Sequence, residues 1–240
     1  MGAKRSDTRD DYFSRSREPL HILLFLAPLV IAYEFGAALF LAGADGGVAK
    51  DIRAHRLLAD VFEAFGVGGF YLPGILIVVV LLVWQIISRR PWRVRPTTLG
   101  GMLLESAVWT MPLLVLAQLI AGRETAATAL AEVGSLEDLS LSARATIAIG
   151  AGLYEELLFR LVAIAAVHLL LADVVGVPPR AADALSVLAA AVAFALYHDD
   201  PSNFVFYAAA GVFFGGLFIA RGLGIVVATH AIYDLVVLVL

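Results

Sequence analysis

Ionisable side chains fall inside stretches that are otherwise apolar, among them Glu34, Glu105, Glu155, Glu156, Arg160, His168, His198, His230 and Asp234. A charge at the centre of a bilayer costs about 2.5–3.5 kcal/mol on insertion scales, so each such group needs a partner or a purpose. The helical period sorts them. Glu156 and Arg160, in "EELLFR", are four apart and share a face, so they can neutralise each other within one helix. Glu155 lies about 100° further round and is left to face a different element. In "FALYH", Phe194 and His198 are four apart, and in "HAIYD" so are His230 and Asp234. Three apolar segments thus each bring polar groups to one face.

A carboxylate and two imidazoles in a dry pocket suit two chemistries. The first is water activation. A dry pocket strengthens a carboxylate as a base, and a neutral histidine can share the same water. A second histidine, with a carboxylate one turn on, can stabilise a developing oxyanion. That assembly hydrolyses a peptide bond without a serine or cysteine nucleophile. The second is a metal: Glu155, His198 and His230 are zinc-ligand types that would leave a position open for water. The H-E-x-x-H zinc signature is absent, and the three residues come one per segment, so spacing does not support zinc, the one cofactor left open.

The elements that must position these residues are membrane helices. The chain has 240 residues, 61% hydrophobic and 16% charged. Soluble domains are about 45–50% apolar and 25% charged, so composition alone points to a polytopic membrane protein. Crossing a bilayer takes about 20 apolar residues. Seven segments approach this, near 20–41, 69–88, 102–121, 145–172, 183–198, 203–220 and 224–240. The fifth and seventh are the short ones. The expected fold is an all-α bundle of about seven spans. Long unbroken apolar runs are unlike the alternating pattern of barrel strands. The loop after the first span has room for an interfacial helix, and "AGRETAATALAEVGSLEDLSLSAR" for another short one.

Three regions follow: a polar tail over 1–19, helices and loops over 20–142, and the motif-bearing helices over 143–240, integrated with the preceding region as one domain. Lys4, Arg5, Arg9, Arg15 and Arg17 in the tail, and Arg89, Arg90, Arg93 and Arg95 in the second loop, place both on the cytoplasmic side. No basic patch with interleaved aromatics appears, so nucleic acid is not an expected partner. There is no cysteine, which excludes disulfides and thiolate chemistry. In this simple map His198 falls near the outer end of the fifth span and His230 nearer the inner end of the seventh, which leaves a shared site unexplained.

The three motifs together resemble the CPBP intramembrane proteases, the family of CAAX-processing and bacteriocin-processing enzymes also called Abi. Its patterns E-E-x-x-x-R, F-x-x-x-H and H-x-x-x-(N/D) stand here in order as Glu155, Glu156 and Arg160, then Phe194 and His198, then His230 and Asp234. The resemblance covers about residues 143–240. It implies an intramembrane endopeptidase in which Glu155 is the base on water with His198 beside it. His230 and Asp234 would serve the oxyanion, while Glu156, Arg160 and Phe194 orient the helices. The CAAX-processing branch has asparagine at the last position; an aspartate there is better suited to orienting His230. The implied substrate is a membrane-associated peptide or protein, lipidated at its C-terminus in the family's eukaryotic members, and the expected location is a multi-pass position in a bacterial or archaeal cell membrane. The family carries metalloprotease and glutamate-protease labels alike, so a metal remains open. Two rivals stand beside this reading: a transporter or channel that relays protons or cations through the buried groups, and a non-catalytic scaffold or immunity protein. His168 reads as an interfacial packing residue, and Glu34 and Glu105 are left without an assignment.

Overall fold

The computed structural model describes residues 11–41, 53–64, 66, 69, 71–120 and 139–239. Among them there are helices and no strands. In chain order these are α1 (Tyr12–Arg15), α2 (Pro19–Leu41), α3 (Arg53–Ala64), α4 (Leu72–Ser88), α5 (Pro96–Ile120), α6 (Leu141–Val175), α7 (Pro179–Tyr197), α8 (Phe204–Arg221) and α9 (Leu223–Val239). Five of them, α2, α5, α6, α7 and α8, are long and apolar enough to cross a membrane. The shorter α4 and α9, at 17 residues each, are also apolar.

The seven apolar segments of the sequence are therefore these seven helices. Their lengths differ from expectation in two places. α7 has 19 residues and is long enough to span; the short element beside α9 is α4 instead. α6 runs to 35 residues and is not regular. It is α-helical over Leu141–Glu156, widens to a π-helix over Leu157–Ala163, and widens again over Leu169–Val175. A π segment is rare and often marks a functional site. Here the first begins directly after Glu155 and Glu156. The expected interfacial helix in the first loop is α3; the one expected near residues 121–138 falls outside the described residues.

Two buried stretches explain where the centre of the bundle lies. Every residue from Gly150 to Glu156 on α6 is buried, and so is every residue from Leu223 to Ala231 on α9. Helices buried on all sides belong inside a bundle. α6 and α9 pack on one another, with α2 and α5 flanking α9 and with α7 paired to α8. The outward face of α5, by contrast, shows Leu103, Leu104, Val108, Met111, Val115 and Leu119. An apolar outer face is what lipid as a solvent selects.

Residues 11–18 are folded onto the bundle. The Asp11 carboxylate caps α1 by accepting from the Ser14 amide at 2.7 Å, which holds its pKa down. The Tyr12 hydroxyl donates to Glu105 at 2.6 Å, and burial together with that carboxylate pushes the Tyr12 pKa up. Arg221, at the end of α8, donates to Glu105 and to Ser16 Oγ at 2.8 and 3.0 Å. Glu105 thus has its counter-ion in the turn between α8 and α9. Glu34 accepts from the Tyr154 hydroxyl at 3.0 Å. His168 pairs with Asp183 at 2.9 Å, both partly exposed.

Candidate active site

Gly152 decides how closely α6 and α9 meet. A Cβ placed there would lie 2.7 Å from the Ala231 backbone nitrogen and 2.9 Å from its Cα. Small residues let helix backbones approach in this way. The contact lies one turn before Glu156 and beside His230, so it brings both glutamates against the α9 histidine. Glu156 Oε1 lies 2.7 Å from His230 Nδ1, and Glu156 Oε2 lies 3.0 Å from Arg160 Nε. The carboxylate is fully buried and joins the two. The i,i+4 pair expected from the sequence is present, and it also holds a histidine.

Arg160 is 1% exposed, and its two terminal nitrogens have no hydrogen-bond partner among the described residues. Aromatic faces surround it: the guanidinium carbon is 4.4 Å from the Phe194 ring centroid and 5.1 Å from that of Phe214. Cation–π attraction in a desolvated site is worth about 2 kcal/mol, which compensates in part for the missing hydrogen bonds. Phe194 also meets the edge of the His198 ring at 4.5 Å. It therefore touches both the buried cation and the histidine one turn on.

Glu155 faces away from this pair. Its Oε2 is buried, has no hydrogen-bond partner among the described residues, and stands 3.9 Å from His198 Nε2 and 3.9 Å from His230 Nε2. Its Oε1 accepts from the Tyr197 hydroxyl at 3.5 Å. Asp234 Oδ2 lies 3.4 Å from His230 Nε2. The structure thus brings Glu155, His198, His230 and Asp234 together, although the simple span map put the histidines at different depths. The map took each side chain to sit at the level of its backbone. His198 follows the last residue of α7, but its ring folds back along that helix, with Nδ1 2.8 Å from the Phe194 carbonyl one turn earlier. Side chains on a helix lean toward its N-terminus, here into the bundle.

Several residues of the site carry no motif. Tyr207 of α8 stacks on His198 at 3.9 Å, and Phe214 of the same helix stacks on His230 at 4.6 Å. They are seven apart, two turns along one face, so α8 presents a ring to each histidine. That periodicity was available in the sequence but is indistinguishable there from ordinary core packing. From α3, Arg53 Nη1 donates to the Tyr197 carbonyl at 2.7 Å. No spacing signal tied residue 53 to residue 197.

Residues 138–236 match the family model Rce1-like, described as type II CAAX prenyl endopeptidase Rce1-like. The chain carries an Rce1-like segment of the CAAX-protease type. Searches of curated proteins and of solved structures returned no match. The Rce1-like segment begins just before α6 and includes α6, α7, α8 and most of α9, hence all three motifs. The family it matches is one of endopeptidases, as the motifs had implied.

The donor set of the Rce1-like segment was tested against zinc. Tetrahedral nitrogen and oxygen ligands at about 2.0–2.2 Å stand only about 3.4 Å from one another. Glu155 Oε2 is 3.9 Å from each Nε2, wider than that spacing. Among the described residues no group of three or more His, Asp or Glu side chains is arranged to hold a metal ion. As placed, Glu155, His198 and His230 do not fit zinc.

Proposed function

We propose that this chain is an intramembrane endopeptidase that uses Glu155 and His198 to activate water against a peptide bond of a membrane-associated substrate. The observation that carries the reading is Glu155 Oε2: buried, without a hydrogen-bond partner among the described residues, and 3.9 Å from two histidine nitrogens. Polar atoms more than 3.5 Å apart leave room for a bridging water. Such a water contacts the base and both rings at once.

His198 Nδ1 faces a carbonyl, which only accepts, so the ring donates there and a neutral ring offers its lone pair at Nε2. The water gives one proton to Glu155 and is steadied through another by His198. Its oxygen attacks the scissile carbonyl carbon to give a tetrahedral intermediate. Collapse breaks the carbon–nitrogen bond, and the proton held by Glu155 passes to the departing amine. Glu156 holds His230 in orientation from Nδ1, and Asp234 lies against Nε2. As a carboxylate Asp234 accepts hydrogen bonds, so its part is to orient His230.

The substrate reading extends to a prenylated C-terminus, on the printed description of the matched family. A cavity of about 390 Å³ supports it. It is lined by apolar side chains of α2, α5 and α9, among them Phe25, Leu103 and Ile232, and it reaches Ala231 beside His230.

The test is a cleavage assay in detergent with a fluorescent peptide ending in S-farnesylcysteine and three further residues. Wild-type protein should release the terminal tripeptide, and His198→Ala should be slower by about 10²-fold or more. No release by the wild type, or equal release by the variant, would contradict the proposal.

A further inference from the structure

The water-activating groups share a property that creates a need. Each of them either accepts hydrogen bonds or has its donor turned to an acceptor already in place. Glu155 and Asp234 are carboxylates. His198 donates from Nδ1 to Phe194 and leaves an acceptor at Nε2. His230 Nδ1 faces the Glu156 carboxylate that is already paired with Arg160, so it donates there and leaves Nε2 as its other face. In the imidazolium form Nε2 also carries a proton, but that N–H faces the carboxylates of Asp234 at 3.4 Å and Glu155 at 3.9 Å. Hydrolysis through a tetrahedral intermediate requires the opposite: a donor aimed at the oxygen where negative charge develops.

Besides the Arg160 guanidinium, which lies against the Phe194 and Phe214 rings, one hydroxyl beside these groups has no partner for its proton among the described residues. Tyr233 precedes Asp234 on α9, is 6% exposed, and its hydroxyl has no hydrogen-bond partner among the described residues. Burying a hydroxyl without a partner is costly, and native structures rarely do so without a reason. Tyr233 lines a cavity of about 30 Å³ together with His198, His230, Asp234, Phe194 and Phe214. A space of that size takes about one or two small polar atoms. The other hydroxyl at the base, that of Tyr197, donates to Glu155.

We propose that the Tyr233 hydroxyl is a catalytic hydrogen-bond donor that holds the oxyanion of the tetrahedral intermediate in the cavity between His198, His230 and Asp234. The assignment rests on the hydrolase reading above. It also accounts for an acidic last motif residue, because the donor comes from the position before Asp234. No bond is made or broken at Tyr233. The hydroxyl keeps its proton, approaches the carbonyl oxygen in the ground state, and binds it more strongly once it is charged.

Tyr233→Phe removes the hydroxyl and nothing else. With the farnesylated peptide, kcat should fall by about 10²–10³-fold with KM little changed. Affinity for a phosphinate peptide, which mimics the tetrahedral state, should fall by a similar factor, while affinity for an uncleavable substrate analogue stays as in the wild type. The midpoint of thermal unfolding should not drop, since no hydrogen bond is lost. A Tyr233→Phe enzyme with wild-type kcat overturns the assignment alone. So does an equal loss of affinity for the phosphinate and the analogue, which would mark a packing role. A wild type that cleaves nothing overturns the hydrolase reading, and this assignment with it.

Discussion

Replacing Gly152 with alanine places a methyl carbon 2.7 Å from the Ala231 backbone nitrogen, where ordinary contact begins at 3.4 Å. The obstacle is backbone, not the tip of a flexible side chain, so α6 and α9 must separate by about 0.7 Å or more. Overpacking of this kind costs about 1–3 kcal/mol. The larger consequence is at the site. Glu155 follows Gly152 by three residues, and His230 adjoins Ala231, so the shift falls on the 3.9 Å spacing that the proposed water spans. A 1 Å misplacement of reacting groups costs about 10²-fold, so Gly152→Ala should lower kcat by about 10–10²-fold. The assay is cleavage of the farnesylated peptide at saturation, beside thermal unfolding. Gly216→Ala is the control: nothing lies within 4 Å of a Cβ there, and α8 should gain up to about 1 kcal/mol from the better helix former. Wild-type cleavage and stability in Gly152→Ala would refute the claim that this close approach sets the site.

Glu156→Gln should destabilise the bundle by about 3–5 kcal/mol in detergent unfolding, because Arg160 then remains as a buried cation without its counter-charge. The double variant Glu156→Gln/Arg160→Leu should lose less than the two single losses added. Tyr12→Phe should lower stability by about 1.5–3 kcal/mol through the lost hydrogen bond to the Glu105 carboxylate, with the cleavage rate unchanged. A chelator should leave the cleavage rate of purified protein unchanged, as the donor spacing around Glu155 does not suit zinc.

Much of this arrangement was legible in the sequence because a membrane interior makes charge conspicuous. Glu155, Glu156, Arg160, His198, His230 and Asp234 stand out against apolar neighbours, and the four-residue spacings put each pair on one face. The seven apolar helices followed from run length. What could not be read were the features in which apolar residues do the work. Phe214, Tyr207 and Tyr233 look like core residues in any apolar helix, and only the fold shows that two of them stack on histidines and that the third buries a hydroxyl without a partner. The π segments after Glu156 have no sequence signature of their own here. Depth was misread because a span map fixes where a residue sits and not where its side chain leans, and the His198 ring leans back along α7 into the bundle. Glu105 found its counter-ion, Arg221, 116 residues away, a distance no local spacing rule reaches.

The most direct test is single-turnover cleavage of the farnesylated peptide by Glu155→Gln beside wild-type protein. Glutamine keeps the shape and the contact with Tyr197 but cannot take a proton from water. The account predicts a rate lower by about 10²–10⁴-fold, with peptide affinity and thermal stability near those of the wild type. A Glu155→Gln protein that cleaves at the wild-type rate would contradict it.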